Sequence, residues 1–416
     1  MTGLVGDRRG NVMILAAAGL AVLVGATGLA TDTVQWSLWR HQLQRQADSA
    51  ALAGAYADAQ GKNVAASATA DLTRNNKLTF SSAPVIENAP TVGAYAGNMN
   101  AVRVVLQTST RLPFSGLFMA ATPVISTEAT AAVVQNGDYC VIALARTNST
   151  GITMSGNATV NMGCGMASNT TSNNAVYAGG SSNIYATPIA AVGGLAWSSN
   201  YQNGTTLQPY SLPQPDPYSG LPQPDISGMK CNAKLDVSPN TVAPAASAGC
   251  YGSAKIQGTI TLNPGVYYID SANFSVGSQA TITGTGVTII LTSTNAATQP
   301  SQIGTVSING GATLNLSAPS DGTYAGVLFY QDRRAVDSGN ANSINTINGN
   351  AASAFTGAFY FPSQELDFSG TAGMNTKCVK MVSKRVTFIG NSTIANDCSD
   401  HPDWTKIRAV QVRLVG

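Results

Sequence analysis

From Asn11 to Thr31 the chain carries no charge and is built mostly of Ala, Val, Leu, Ile and Gly. About 20 apolar residues cross a hydrocarbon core of roughly 30 Å, so residues 12–31 are expected to form a transmembrane helix, with residues 1–11 as a cytoplasmic tail. The competing reading is a cleaved signal peptide ending near Gly28-Leu29-Ala30; its apolar core would be shorter, about 7–15 residues. Basic residues do not orient the span, because Arg8 and Arg9 precede it while Arg40 and Arg45 follow closely.

The cysteines orient it instead. All six lie beyond the span, at Cys140, Cys164, Cys231, Cys250, Cys378 and Cys398. An even number in three close pairs fits disulfides in an oxidising compartment. Sequential pairing is expected, since each pair then closes one local loop; six buried free thiols are the alternative. No pair has the spacing of a zinc or redox site, and the two histidines, His41 and His401, cannot complete a metal cluster. No metal and no cofactor are therefore expected.

Past the membrane the helical pattern continues over residues 32–60. Val22, Leu29, Trp36, Leu43 and Ala50 fall seven apart on one stripe, with Gln42, Gln44, Arg45 and Asp48 between them. Ala47, Ala50, Ala51 and Gly54 make a small-residue face that admits close approach by another helix. Either a second copy of the chain or this chain's own next segment would satisfy it.

Residues 61–136 read as a small α+β unit: helical composition over 65–72, strands over 101–106 and 124–134, and a short apolar helix or turn over 113–119. Residues 137–416 are β-rich. Stretches such as 152–161, 280–291, 306–316, 326–330, 357–361 and 385–391 alternate apolar with Thr, Ser or Asn residues and are punctuated by Gly and Asn. That pattern suits a parallel β-helix or solenoid, with a β-sandwich as second choice. The Pro-rich insertion 207–226 holds a near-duplicate, Pro213-Gln214-Pro215-Asp216 and Pro222-Gln223-Pro224-Asp225. Proline confines it to extended or polyproline geometry, either as a stiff surface crossing or as a docking strip.

Charged residues make up 10% of the chain, with a formal net charge of +2, which points to no nucleic-acid partner. An enzyme acting on polysaccharide needs paired carboxylates. The chain has Glu only at Glu87, Glu128 and Glu365, and the best acidic group is Asp332, Asp337, Glu365 and Asp367 beside Arg333 and Arg334. Salt-bridged loops at strand ends explain that group as well. No Ser-His-Asp set and no phosphate-binding Gly-rich loop is present. Triplets such as Asn148-Ser149-Thr150 and Asn391-Ser392-Thr393 read as turn asparagines.

Arg9-Gly10-Asn11, the apolar span, Asp32, and Leu43-Gln44 leading to Ala47-Asp48-Ser49-Ala50-Ala51-Leu52-Ala53-Gly54-Ala55 resemble the N-terminal signature of TadG-like proteins of the Flp (Tad, tight-adherence) pilus machinery. The resemblance covers about residues 8–57. It implies a structural, non-enzymatic component of pilus assembly, anchored by a single pass in the bacterial inner membrane with its body in the periplasm. Its implied partners are other Tad components and the membrane, with homo-oligomers as a further option. Prepilins carry Glu five residues after the processed Gly; here that position is Leu15, so processing as a pilin is not implied. Asp367-Phe368-Ser369-Gly370-Thr371 comes near the metal motif of a von Willebrand A module found in some relatives, but too little chain follows it to build that domain. The alternative function is a carbohydrate-binding or polysaccharide-degrading envelope protein.

Overall fold

The computed structural model describes residues 10–75, 78–161, 163–350, 352–370, 375–390, 393–395 and 407–416. Two compact units emerge, Met1–Val134 with Gln411–Gly416, and Gln135–Val410.

In the first unit, α1 (Gly10–Ala59) is one unbroken helix of 50 residues, about 75 Å at 1.5 Å per residue. Its segment from Ala16 is long and apolar enough to cross a membrane. Two halves of this helix meet different surroundings. Leu20, Val22, Leu23, Val24 and Leu29 are exposed, whereas Leu43, Ala47, Ala50, Ala51 and Ala55 are fully buried. Within the bare half, the hydroxyls of Thr27 and Thr31 donate to the carbonyls of Leu23 and Thr27, four residues back. Polar groups in an apolar setting are thereby satisfied inside the helix itself.

The covered half packs on α2 (Val64–Asn75) and on an antiparallel sheet of β1 (Val85–Asn88), β2 (Ala101–Thr108) and β3 (Ile125–Ala143). Val64, Ala68, Leu72, Val102, Val104, Leu106, Ala129 and Ala131 complete this core. The C-terminal end of the chain joins the same unit, the Val415 N–H donating to the Thr130 carbonyl at 2.8 Å. The short strand β1, flanked by Pro84 and Pro90, escapes a reading by alternation alone.

The second unit is a parallel β-solenoid. Three of the stretches legible in the sequence, 152–161, 280–291 and 306–316, prove to be two strands each on adjacent faces, while 326–330, 357–361 and 385–391 each map onto a single strand. Thr281–Thr285 and Val287–Thr292 turn a corner at Gly286, whose φ of +70° suits glycine. Equivalent residues stack in register from coil to coil. One inward column runs Val237, Ile256, Val276, Ile308, Ile347, Phe368, Phe388, Met154, Ala178. Another runs Leu207, Ile189, Met166, Val141, Met381, Phe359, Phe329, Ile289, Tyr267.

That second column fixes the winding order, which is not sequential. Entering at the middle through β3, the chain winds through the strands Gly165–Ser168, Ile189–Ala191 and Leu207–Gln208. It then restarts at the far end with Gly249–Ile256 and winds back until Asn375–Ile389 lies beside β3, Met381 opposite Val141. The Pro-rich insertion makes the return journey. Nine strand spacings of about 4.8 Å, roughly 43 Å, separate the two ends, and an extended Pro-rich strap at about 3.1 Å per residue covers that easily.

Disulfides rivet this path. Cys140–Cys164 ties the entry strand to the next coil, and Cys231–Cys250 ties the far end of the strap to the coil that begins there. Cys378 is disulfide-bonded too; Cys398, its expected partner, lies outside the described residues. Replacing Cys231 and Cys250 by serine is expected to cost the solenoid about 3 kcal/mol, from a less constrained unfolded chain. The check is chemical denaturation monitored by far-ultraviolet circular dichroism.

Candidate functional site

Two places concentrate the residues singled out by sequence: the helix α1 and the strapped face of the solenoid. On α1, the small-residue face is used within the chain. Ala47, Ala50 and Ala51 are fully buried, and a Cβ on Gly54 would lie 2.8 Å from Val102 Cγ1 and 3.3 Å from Val64 Cγ1. Of the two uses open for this face, the described structure shows packing on the chain's own α2 and β2. Gly54→Val is expected to wedge α1 off the sheet and to cost about 1–3 kcal/mol through overpacking. A lowered melting temperature of the full chain in detergent would register it.

Higher on the helix, Asp32 is buried, and its Oδ2 accepts the Ser115 N–H at 2.5 Å. Ser115 opens the short helix α3 (Ser115–Phe118). A Cβ at Gly28 would come within 2.1 Å of the Phe114 ring, so glycine there admits the aromatic side chain. Gly28 and Asp32, one turn apart, clasp the loop that joins β2 to β3.

The strapped face of the solenoid presents an outward row of Tyr268, Ile290, Tyr330, Tyr360, Val382, Ile142, Ala167 and Ala190. Such a row is costly bare, and the strap covers it with Tyr218 and Leu221. Arg333 is the clamp. Its Nε donates to the Tyr360 hydroxyl at 2.8 Å; Nη1 donates to the Leu221 carbonyl at 2.9 Å and the Tyr330 hydroxyl at 3.1 Å; Nη2 donates to the Tyr218 carbonyl. The guanidinium also lies 5.5 and 5.4 Å from the Tyr330 and Tyr360 ring centroids. Tyr360 in turn donates to Asp216 Oδ2 at 2.6 Å. Burial first, and Asp216 second, raise the Tyr360 phenol well above its ordinary value, which keeps it a donor.

The near-duplicated motif makes duplicated turns. Asp216 Oδ1 accepts the Tyr218 N–H at 2.9 Å, and Asp225 Oδ1 accepts the Ser227 N–H at 3.0 Å. Gln214 is buried and bonded to Asn169 and Val410, whereas Gln223 reaches Asp332.

The acidic group divides. Asp332 is fully buried and held by Arg334, with the shortest contact 2.6 Å, and by the Thr292 hydroxyl at 2.7 Å. Burial alone would raise its pKa, but Arg334 and Thr292 hold the carboxyl below the usual range. Arg334 Nη2 also donates to the Pro224 carbonyl at 2.9 Å, so this pair belongs to the strap. Around the coil, Arg385 bridges Asp337 and Glu365, each at 3.0 Å, and Lys384 reaches Asp337 at 2.9 Å. These are ion pairs between neighbouring coils, Glu365 standing opposite Arg385 in register. Asp367, two residues from Glu365 on the same strand, has a buried Oδ1 without a hydrogen-bond partner. Its carboxyl is pushed up to about 6, by burial first and by Glu365 second. The segment around it is a regular solenoid strand, Asp367 opposite Thr346 and Thr387. Among the described residues no acidic, His or Cys group could hold a metal ion.

The Asp367 shift has a definite sign. A folded-state pKa above the unfolded value means its contribution to stability is fully present below about pH 4 and is lost as pH rises through about 6. Asp367→Asn is therefore expected to raise stability at pH 7.5 by about 1–2 kcal/mol, discounted for partial exposure. The stability curve should also flatten between pH 4 and 7, measured by denaturant titration across pH.

An exposed apolar helix that feeds a small α+β cap, together with a disulfide-riveted β-solenoid, defines a membrane-anchored protein with a rigid β body. The family model for TadE/G-like Flp pilus assembly (Tad) matches residues 10–59, the extent of α1, so the anchor helix carries a TadE/G-like domain. No curated protein and no solved structure matches the chain.

Proposed function

We propose that this chain is a structural component of Flp/Tad pilus assembly, held in the bacterial inner membrane by a single pass of α1 with its solenoid in the periplasm. The observation that carries the reading is the coincidence of the Tad match with α1, whose first half is bare and apolar and whose second half seats the cap. The disulfides support an oxidising compartment for the body. The role is structural rather than catalytic: most of the acidic group is consumed in clamping the strap or in ion pairs between neighbouring coils. Within this reading the Ala47, Ala50, Ala51 and Gly54 face serves to seat the cap on its stalk. Contacts with other Tad components, or with further copies of the chain, fall to the bare half of α1 and the free faces of the solenoid.

The test is to delete the gene and count surface pili by electron microscopy, with plasmid complementation. Loss of pili restored by the intact gene is the expected result; normal piliation in the deletion would overturn the proposal. A second reading, carbohydrate binding, is favoured by a polar groove of about 780 Å³ lined by Asn273, Gln302, Thr305, Ser307, Asn342 and Thr346. Saturable binding of a cell-wall glycan to the full chain, lost on blocking this groove, would move it to the front.

A further inference from the structure

The β2–β3 loop holds the most exposed large apolar side chains beside α1. Leu117 is 77% and Phe118 82% exposed, and Met119 and Val124 are exposed as well. Such side chains at the tip of a loop have no folded-state reason to face water. The loop is also uncharged from Leu112 to Thr127, and the guanidinium of Arg111, just before it, is turned onto the Gly116 carbonyl.

Its position is fixed by the clasp to α1: Phe114 on Gly28, and the Ser115 N–H on Asp32. Gly28 stands about 24 Å along the helix axis from Val12, at 1.5 Å per residue. In a hydrocarbon core of about 30 Å, that places the clasp in the last few ångströms before the headgroups. Leu23, Val24 and Leu29, on the turns of α1 around the clasp, are exposed as well. Asp32, the first charge after the span, receives its backbone donor from this loop, which suits a carboxylate at the edge of lipid.

We infer that residues 112–124 form a membrane finger that inserts Leu117 and Phe118 into the headgroup–acyl boundary of the bilayer crossed by α1. A second attachment beside the helix resists tilt and rotation of the span and so sets the cap at a defined height. The inference rests on the anchor reading of α1, and the experiment separates the two.

Among the described residues no cysteine is free, so one introduced cysteine can carry a nitroxide label in the otherwise intact, oxidised chain. Leu23→Cys, Phe118→Cys and Val92→Cys are each labelled and reconstituted in phosphatidylethanolamine/phosphatidylglycerol vesicles. Collision with oxygen and with a water-soluble nickel chelate is then read by electron paramagnetic resonance. The expected result is oxygen-favoured collision at positions 23 and 118, with a ratio several-fold above that at position 92. A label at 118 that meets the nickel chelate as freely as one at 92, while 23 stays in lipid, overturns the finger and leaves the span standing. A label at 118 shielded from both reagents overturns it in favour of a protein contact. A water-exposed label at 23 overturns the anchor, and the finger with it.

Discussion

Phe329→Ala is expected to destabilise the solenoid by about 3–5 kcal/mol, the range for deleting a fully buried aromatic ring. Phe329 has no exposed surface. Its ring centroid lies 5.5 Å from Phe359, 6.1 Å from Phe274 and 6.4 Å from Phe361. Those neighbours come from strands wound before and after it, with Phe329 opposite Ile289 on one side and Phe359 on the other. Because stacked coils contact chiefly their neighbours, a cavity at this level uncouples the coils on its two sides. Denaturation should lose cooperativity as well as midpoint. A single unshifted transition would show that the column tolerates the gap.

Arg333→Ala is the second large effect, about 2–3 kcal/mol, because a half-buried, multiply bonded cation leaves several partners stranded when it is removed. The carbonyls of Tyr218 and Leu221 and the hydroxyls of Tyr330 and Tyr360 would lose their common donor. The outward tyrosine row would then lie beneath a strap that has lost its central clamp and keeps only the bonds of Tyr360 to Asp216, Tyr330 to Pro222 and Arg334 to Pro224. Limited proteolysis is the discriminating measurement: cleavage within 209–226 should appear in Arg333→Ala before the solenoid unfolds. Arg333→Lys should recover only part of the protection, since an ammonium is a point donor that cannot span these four oxygens. Equal protease resistance in the wild type and both variants would show that packing alone retains the strap.

The two substitutions probe features of very different legibility. The inward column was written in the sequence as alternation: in Thr281-Ile282-Thr283 and Val306-Ser307-Ile308 every second residue is apolar, and these are the residues that stack. Glycines at 156, 286 and 310–311 marked where the chain turns from one face to the next. Arg333 and Arg334 were visible as charges beside an acidic group, but not as a clamp. Their partners lie more than 100 residues away on the strap, and no local pattern encodes that meeting. The Pro-rich duplicate was legible as a stiff crossing; what it crosses was not.

The N-terminal region divides the same way. The uncharged run, the small-residue stripe and the Tad-like signature are properties of consecutive residues, and the long helix with its exposed apolar half follows from them. Which surface covers Ala47, Ala50, Ala51 and Gly54 depends on α2 and β2 arriving from elsewhere in the chain. By itself, then, the sequence determined the long helix, the alternating strands of the β-rich region and the family of the anchor helix, because periodicity and composition act over a few residues. Only the tertiary structure decided the winding from the middle outward, the strap that closes the outer row and the loop clasped at Gly28 and Asp32. Those depend on which apolar surfaces meet across long separations, where shape and register choose among pairings that local sequence leaves equivalent.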